Sequence, residues 1–334
     1  MRVLLVKTSS LGDVIHTLPA LTDAARAIPG IQFDWVVEEG FAEIPAWHPA
    51  VAQVIPVAIR RWRKHLWQTL KNGEWARFKQ RLNESRYDLV IDAQGLLKSA
   101  WLTRYVNKAP VAGLDGSSAR EPIASRFYDR RYAVPREQHA LERVRQLFAE
   151  ALGYPVPQDV GDYGLNRAQL AGAVTQPYLL FLHGTTWPSK HWPEANWREL
   201  AEHMSAQGWA IRLPWGNADE HARAERLATG LANVAVLPKL NLAGVAKVIA
   251  GASACVAVDT GLGHLAAALD VPSISLYGPT RPGRVGAYGR SQIHLCATGP
   301  DAGLGDRHKP CFDTLTPQRV ATELEALLLA EEAV

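Results

Sequence analysis

Four short stretches of the chain gather residue types that do chemistry. The first, Lys7-Thr8-Ser9-Ser10-Leu11-Gly12-Asp13, follows the apolar run Val3-Leu4-Leu5-Val6 and opens a helical apolar pattern. Asp13 has two uses there. It can cap the helix, held by orphan N–H groups and the helix dipole, or it can take a proton from a substrate hydroxyl as a general base. A helix N-terminus keeps a carboxylate ionised at neutral pH while weakening it as a base. Spacing alone favours the cap and leaves the base open. The stretch is not G-x-G-x-x-G, which argues against a dinucleotide fingerprint.

In the second stretch a strand enters Gly184-Thr185-Thr186, Lys190 follows, and Trp192-Pro193 opens a helix. Hydroxyls, backbone N–H groups and an ammonium at a helix entry suit a phosphate; the competing use is a solvated loop. In the third, Val258-Asp259-Thr260-Gly261-Leu262-Gly263-His264, a strand ends at Asp259 and a turn starts a helix whose first amides would face an anion. His264 adds a donor or, on the competing view, packs or caps; the clustering at one junction favours a ligand. The fourth is Arg60-Arg61-Trp62-Arg63-Lys64-His65, basic at every position but one. Such runs are usually solvated faces or nucleic-acid patches. A net charge of only +3 and no binding module leave nucleic acid without support. Guanidinium forks also suit a phosphosugar or an anionic lipid headgroup, and Arg120, in the polar loop 116–126, can join them.

The elements that must position these residues alternate. Strands are expected near 3–6, 33–37, 51–57 and 89–91, with helices between them, one of them running over 14–28 and another over 141–152. The segment 153–177, rich in Gly and Pro, suits a linker. Strands then recur near 178–182, 209–213, 234–236, 255–258 and 273–276, again separated by helices, and 317–330 is a strongly helical tail. Alternation of this kind implies parallel sheets covered on both faces, with ligands in a cleft at the carboxyl ends of the strands.

Composition fits two such lobes. At roughly 100–200 residues per domain, 334 residues favour two, and 47% hydrophobic with 21% charged residues excludes disorder as the main state. Cys255, Cys296 and Cys311 have no paired spacing, so neither disulfides nor zinc are expected, and a reducing compartment fits. The N-terminus runs into a strand without a signal-peptide pattern, and no stretch reaches about 18 apolar residues. A cytoplasmic protein with at most peripheral membrane contact is expected. Most of the eleven tryptophans are expected to be half-buried packing, with a minority lining a binding cleft.

Over nearly its whole length the chain resembles glycosyltransferase family 9, the lipopolysaccharide heptosyltransferases. The anchors are VKTSSLGDVIHTLPALTDA, DWVVEEGF, VIPVAIRRWRK, VIDAQGLLKSA, KHWPEANW, RLPWG and DTGLGHLAAALDVPSISLYGPT. The resemblance implies an α/β fold of the GT-B type, two Rossmann-like domains with parallel sheets facing a central cleft. Residues 1–155 would bind the acceptor, 175–315 the nucleotide-sugar, and a C-terminal helix in 316–334 would be able to pack back on the first domain. It implies inverting transfer of L-glycero-D-manno-heptose from ADP-heptose to a Kdo residue of Kdo2-lipid A. That reaction builds the lipopolysaccharide inner core at the cytoplasmic face of a Gram-negative inner membrane, with no metal and no cofactor. On the matched positions Asp13 is the base, and Thr185, Thr186 and Lys190 hold the pyrophosphate. Glu220 contacts the adenosine, while Asp259, Thr260, Gly261 and His264 surround heptose and phosphates. Arg60, Arg61, Arg63, Lys64 and Arg120 meet the acidic acceptor. The segment VAIRRWRK points to transfer of the first heptose. Transfer of a second heptose to a heptosylated core, a nucleotide-dependent oxidoreductase and a non-catalytic sugar- or lipid-binding protein are the alternatives. The stretch 184–189, Gly263 and the loop 281–309 depart from the family pattern.

Overall fold

The computed structural model describes residues 1–172, 174–297 and 312–332; Cys311 and the part of the 281–309 loop beyond 297 lie outside them. The chain divides into two units, Met1–Leu165 and Asn166–Val334.

The first unit is built on six parallel strands: β1 (Arg2–Val6), β2 (Gln32–Glu38), β3 (Val51–Val57), β4 (Leu89–Asp92), β5 (Val111–Leu114) and β6 (Arg130–Tyr132). Their spatial order is β3-β2-β1-β4-β5-β6. The chain therefore grows outward from β1 in one direction, then returns to β1's other side and grows the opposite way. β1 and β4 are apolar and almost wholly buried because helices cover both faces of a parallel sheet. β5 and β6 lack a sequence signal of that kind: β6 is Arg-Arg-Tyr at the edge, and β5 contains Gly113. Gly113 is required by a close approach, since a Cβ there would lie 2.4 Å from the ring of Tyr128. The helix expected over 14–28 is two helices, Leu11–Ile15 and Leu18–Ala27. Pro19 lies in the first turn of the second, where its missing N–H costs nothing and its fixed φ starts a new helix.

The second unit repeats the plan with β7 (Tyr178–Leu182), β8 (Ala210–Leu213), β9 (Val234–Val236), β10 (Ala254–Val258), β11 (Ser273–Tyr277) and β12 (Gln292–Cys296). The order is β12-β11-β10-β7-β8-β9, again with a reversal beside the first strand. The edge strand β12 was not legible in the sequence because His294 and Gln292 interrupt its apolar pattern.

The C-terminal helix Pro317–Glu332 packs onto the core of the second unit. Val320, Ala321, Leu324, Leu327 and Leu328 enter the same core as Trp192, Trp197, Leu200 and Met204. The reason is matched stripes: the helix Glu194–Ala206 buries Trp197, Leu200, Ala201 and Met204 at helical spacing, and the tail presents a complementary row. Polar contacts fix the register. Trp192 Nε1 donates to the Leu315 carbonyl at 2.8 Å, and Glu325 Oε1 lies 2.8 Å from His203 Nε2. Among the described residues, no helix is long and apolar enough to cross a membrane.

Leu324 is fully buried. Leu324→Ala is expected to destabilise the second unit by ~2–5 kcal/mol, the usual cost of a lost side chain plus its cavity. Urea unfolding of the full chain checks this, read from the transition that reports Trp192 and Trp197.

Candidate functional site

In each unit the reversal of strand order brings two loops side by side at the carboxyl ends of neighbouring strands. Ligands of doubly wound sheets bind at such switch points. In the first unit the loops follow β1 and β4, where Val6 is paired with Asp92. In the second they follow β7 and β10, where Leu182 is paired with Ala257.

The loop after β1 is held from below and from the side. The Lys7 carbonyl accepts from the buried Trp35 Nε1 at 2.9 Å. Lys7 itself is buried and its Nζ donates to the Ala93 carbonyl at 2.9 Å. Gln94 Oε1 accepts from the Thr8 and Ser9 amides at 2.9 and 3.1 Å. Behind it Asp92, fully buried, accepts from Ser99 Oγ (2.9 Å), Tyr128 Oη (2.8 Å) and the Gln94 amide (2.9 Å). Burial pushes the Asp92 carboxyl up and the Lys7 ammonium down from their usual ranges, and these hydrogen bonds partly offset the first.

Asp13 sits at the end of this scaffold with 41% of its side chain exposed. Its Oδ2 accepts from the Ser10 amide at 2.7 Å and from Ser10 Oγ at 2.8 Å. Its Oδ1 lies 4.0 Å from Lys7 Nζ. The cap and the accessible carboxylate are thus the same residue, one oxygen fixing the geometry and the other 4.0 Å from an ammonium.

The basic run forms the helix Ile59–Lys64. Arg60, Arg63 and Lys64 are exposed. The Arg60 amide donates to Glu38 Oε1 at 3.1 Å. Arg61, expected among the acceptor cations, is paired with two carboxylates. Its guanidinium bridges Glu39 at 3.0 Å and Glu74 at 2.8 Å, and Trp62 Nε1 donates to the same Glu74 at 2.8 Å. Those bonds, from Trp62 first and then Arg61, hold Glu74 below the usual carboxylate range. Arg61 thus ties its helix to Glu39 and Glu74 while its side chain stays 45% exposed. Arg120 is exposed, and its charge, like that of Asp13, acts on Lys7. Sequence reasoning missed Lys98, whose Nζ donates to Ser9 Oγ at 3.2 Å and which senses Glu38, Arg60 and Asp13. Its signal was its place in the helix that follows β4, at the switch point.

In the second unit Lys190 Nζ pairs with Asp259 Oδ2 at 2.7 Å and lies 4.4 Å from the centre of the Trp187 ring. Thr185 Oγ1 donates to the Asp259 carbonyl at 2.9 Å. Thr280 Oγ1 donates to Asp259 Oδ2 at 2.7 Å, a contact not foreseen; its signal was its place in the loop after β11, on the same edge. Thr260 is the N-cap of the helix Gly261–Ala268, with no side-chain cap bond and no acidic residue in the first turn. The Gly263 amide donates back to the Thr260 carbonyl at 3.1 Å, and the Gly261 and Leu262 amides, which have no intrahelical acceptor, suit an anion. His264 is 8% exposed in that helix, and Thr186 is exposed. Glu220 reaches the same loops: Oε2 accepts from the Gly216 amide at 2.7 Å, and a Cβ on Gly184 would lie 2.7 Å from its carboxyl carbon. A side chain at 184 would push the Glu220 carboxylate away from this backbone.

The description of glycosyltransferase family 9 (heptosyltransferase) matches residues 75–312. Lipopolysaccharide heptosyltransferase 1 of Pseudomonas aeruginosa is 73% identical over 100% of both chains. The chain belongs to glycosyltransferase family 9. Its relative from Escherichia coli K12, also a lipopolysaccharide heptosyltransferase 1, is 56% identical and covers 88% of this chain and 92% of its own length. The solved E. coli heptosyltransferase WaaC with ADP superposes with a TM-score of 0.91 at 52% identity, over 98% of this chain and 100% of that one. The α/β GT-B fold is therefore that of this family 9 member.

One pH effect follows from the loop after β7. His183 is fully buried, and burial first, then Arg223 and His191, push its pKa from 6.5 down to about 4. Unfolded, the imidazole takes a proton below about 6.5; folded, only below about 4. The contribution is complete above 6.5 and is lost as pH falls through that window, by up to ~3 kcal/mol. Urea midpoints at about pH 7 and pH 4.5 check it: His183→Gln is expected to flatten the difference seen in the wild type. An unchanged difference would show that His183 protonates freely in the fold.

Proposed function

We propose that this family 9 glycosyltransferase moves L-glycero-D-manno-heptose from ADP-heptose to a Kdo residue of Kdo2-lipid A, with inversion and without a metal. The observation that carries the reading is the second unit's switch-point cluster: Lys190 and Thr185 around Asp259, beside the uncapped amides at Gly261. In glycosyl transfer the bond from the anomeric carbon to the diphosphate oxygen breaks, and the leaving diphosphate gains charge that needs fixed donors. Lys190 supplies an ammonium, Thr185 and Thr186 supply hydroxyls, and the helix at Gly261 supplies amides and the positive end of its dipole. Asp259 repels phosphate oxygens, so it serves the sugar hydroxyls and steadies Lys190. Glu220 accepts from hydroxyls of the adenosine, and Thr260 and His264 complete the donor set.

The acceptor hydroxyl is a weak nucleophile and must lose its proton as it attacks. Asp13 takes that proton while the new carbon–oxygen bond forms on the face opposite the leaving group, which inverts the centre. Arg60, Arg63, Lys64 and Arg120 meet the acidic acceptor, and Arg61 positions their helix. Identity of 73% and 56% to type 1 enzymes against 26% to the E. coli type 2 enzyme supports Kdo over a heptosylated core as the acceptor. A lipid-linked acceptor puts the work at the cytoplasmic face of the inner membrane, with the enzyme bound peripherally.

Asp13→Ala is expected to lower kcat by ~10²–10⁴, the usual worth of a general base, while calorimetric ADP affinity stays near wild type. Near-normal turnover would remove Asp13 from the role. Lys190→Ala is expected to weaken ADP binding and to lower kcat by ~10²–10³, the loss typical of a transition-state donor. Unchanged ADP affinity in that variant would place the diphosphate elsewhere.

A further inference from the structure

The first unit holds a cavity that the chemistry above does not use. Its volume is about 350 Å³, and its walls include Ile59, Trp62, Trp75, Trp101 and Leu102, with Arg63 and Lys98 also on the lining. The wall is aromatic and held in shape. Trp75 stacks on Trp101 with ring centres 5.2 Å apart and planes 14° apart, and meets Trp62 edge-on at 5.7 Å. The indole N–H of Trp62 is occupied by Glu74. The size falls within the ~300–1,000 Å³ of small-molecule sites. Around it the surface is unusually apolar: Trp101 is 46% exposed, Leu97 42%, and Trp67, on the neighbouring helix Leu66–Lys71, 88%. Exposed apolar groups gathered in one place mark a binding surface, and tryptophan is the residue enriched where hydrocarbon meets water.

A sugar would leave its hydroxyls unpaired against such walls. A hydrocarbon chain has nothing to pair. Arg63 and Lys98 on the lining, with Arg60 and Lys64 exposed on the helix that supplies Ile59 and Trp62, complement an anionic head. The cavity is also tied to the proposed base: Lys98, on its lining, donates to Ser9, the neighbour of the Ser10 that holds Asp13.

The geometry points to this cavity as the seat of a hydrocarbon chain on an anionic amphiphile, namely an acyl chain of the lipid-linked acceptor. This rests on the acceptor class proposed above. The head is held by the cations beside Asp13, and the tail lies among the tryptophans.

Alkyl phosphates from hexyl to dodecyl, each below its micellar concentration, test the site when titrated into the full chain with tryptophan fluorescence as the signal. Affinity is expected to rise roughly four-fold per added methylene, as burial of apolar surface requires, until the cavity is full. Trp101→Ala removes a half-exposed wall without opening the core and is expected to weaken dodecyl phosphate at least about ten-fold; Trp75→Leu provides a second variant. Affinity independent of chain length, or dodecyl phosphate binding unchanged in both variants, overturns the proposal. In turnover, Trp101→Ala is expected to raise KM for an acylated acceptor at least about ten-fold more than for its deacylated form; an equal effect on the two also overturns it. Failure of the wild type to turn over either acceptor would strike the proposed function instead, while the alkyl phosphate series would still report on the cavity.

Discussion

A parallel sheet that reverses its direction of growth leaves two adjacent strands whose following loops diverge to opposite faces. The clusters around Asp13 and around Asp259 depend on that constraint, applied once in each unit. Between β1 and β4 and between β7 and β10 the backbone ends side by side, and the first residues past each strand are held at that edge by the ladder beneath them. The register then decides the chemistry. Because Val6 is level with Asp92, Lys7 reaches the Ala93 carbonyl and Gln94 reaches back to Thr8 and Ser9. A slip of one residue would turn the side chains of either strand to its other face and dissolve the scaffold around Asp13.

The first scaffold is costly in isolation. Lys7 and Asp92 are both buried, which disfavours their charged forms. Asp92 persists because Ser99, Tyr128 and the Gln94 amide donate to it, and Tyr128 can reach it only because Gly113 has no side chain. A buried polar network of this kind is worth keeping only when its members are satisfied. Its product is a loop with little freedom, so that the carboxylate at its end is positioned before any ligand arrives.

Much of this was legible in the sequence, and the misses have physical causes. β1, β4, β7 and β10 carry continuous apolar runs because they are covered on both faces, and those runs made the four strands legible, while the order that makes them switch-point neighbours came from the fold. β6 and β12 sit at edges, where one side of the ladder is open and arginine, histidine and glutamine are tolerated, so no apolar run marks them. The ion pairs of Arg61 were illegible because they depend on Glu39 and Glu74, residues 22 and 13 positions away that only the fold brings to it. Thr280 and Lys98 escaped for a similar reason: each lies on the element next to a recognised motif, and spacing along the chain does not show what neighbours it in the sheet. The C-terminal helix was legible as a helix. Its contact row was not, since that row lies on the helix Glu194–Ala206, more than a hundred residues earlier.

The pairing of Lys190 with Asp259 bears on how a cation is kept ready in a sparsely hydrated place. With 15% of the lysine side chain and 7% of the aspartate exposed, neither charge is well solvated by water. Each compensates the other, and the Trp187 ring and the Thr280 hydroxyl restrain the pair further. The arrangement holds the ammonium in one place, so that on the proposed reading little entropy is lost there when a diphosphate binds. It also sets a limit, because a carboxylate beside the ammonium weakens what that ammonium alone offers to a second anion. On the proposed reading the remaining attraction has to come from groups that carry no counter-charge. The helix at Gly261 meets that need: its first turn has no acidic residue and its cap no side-chain bond, so its amides and dipole are not already neutralised. The absence of a capping acid at Thr260 and the presence of the ion pair at Asp259 are then two parts of one electrostatic solution.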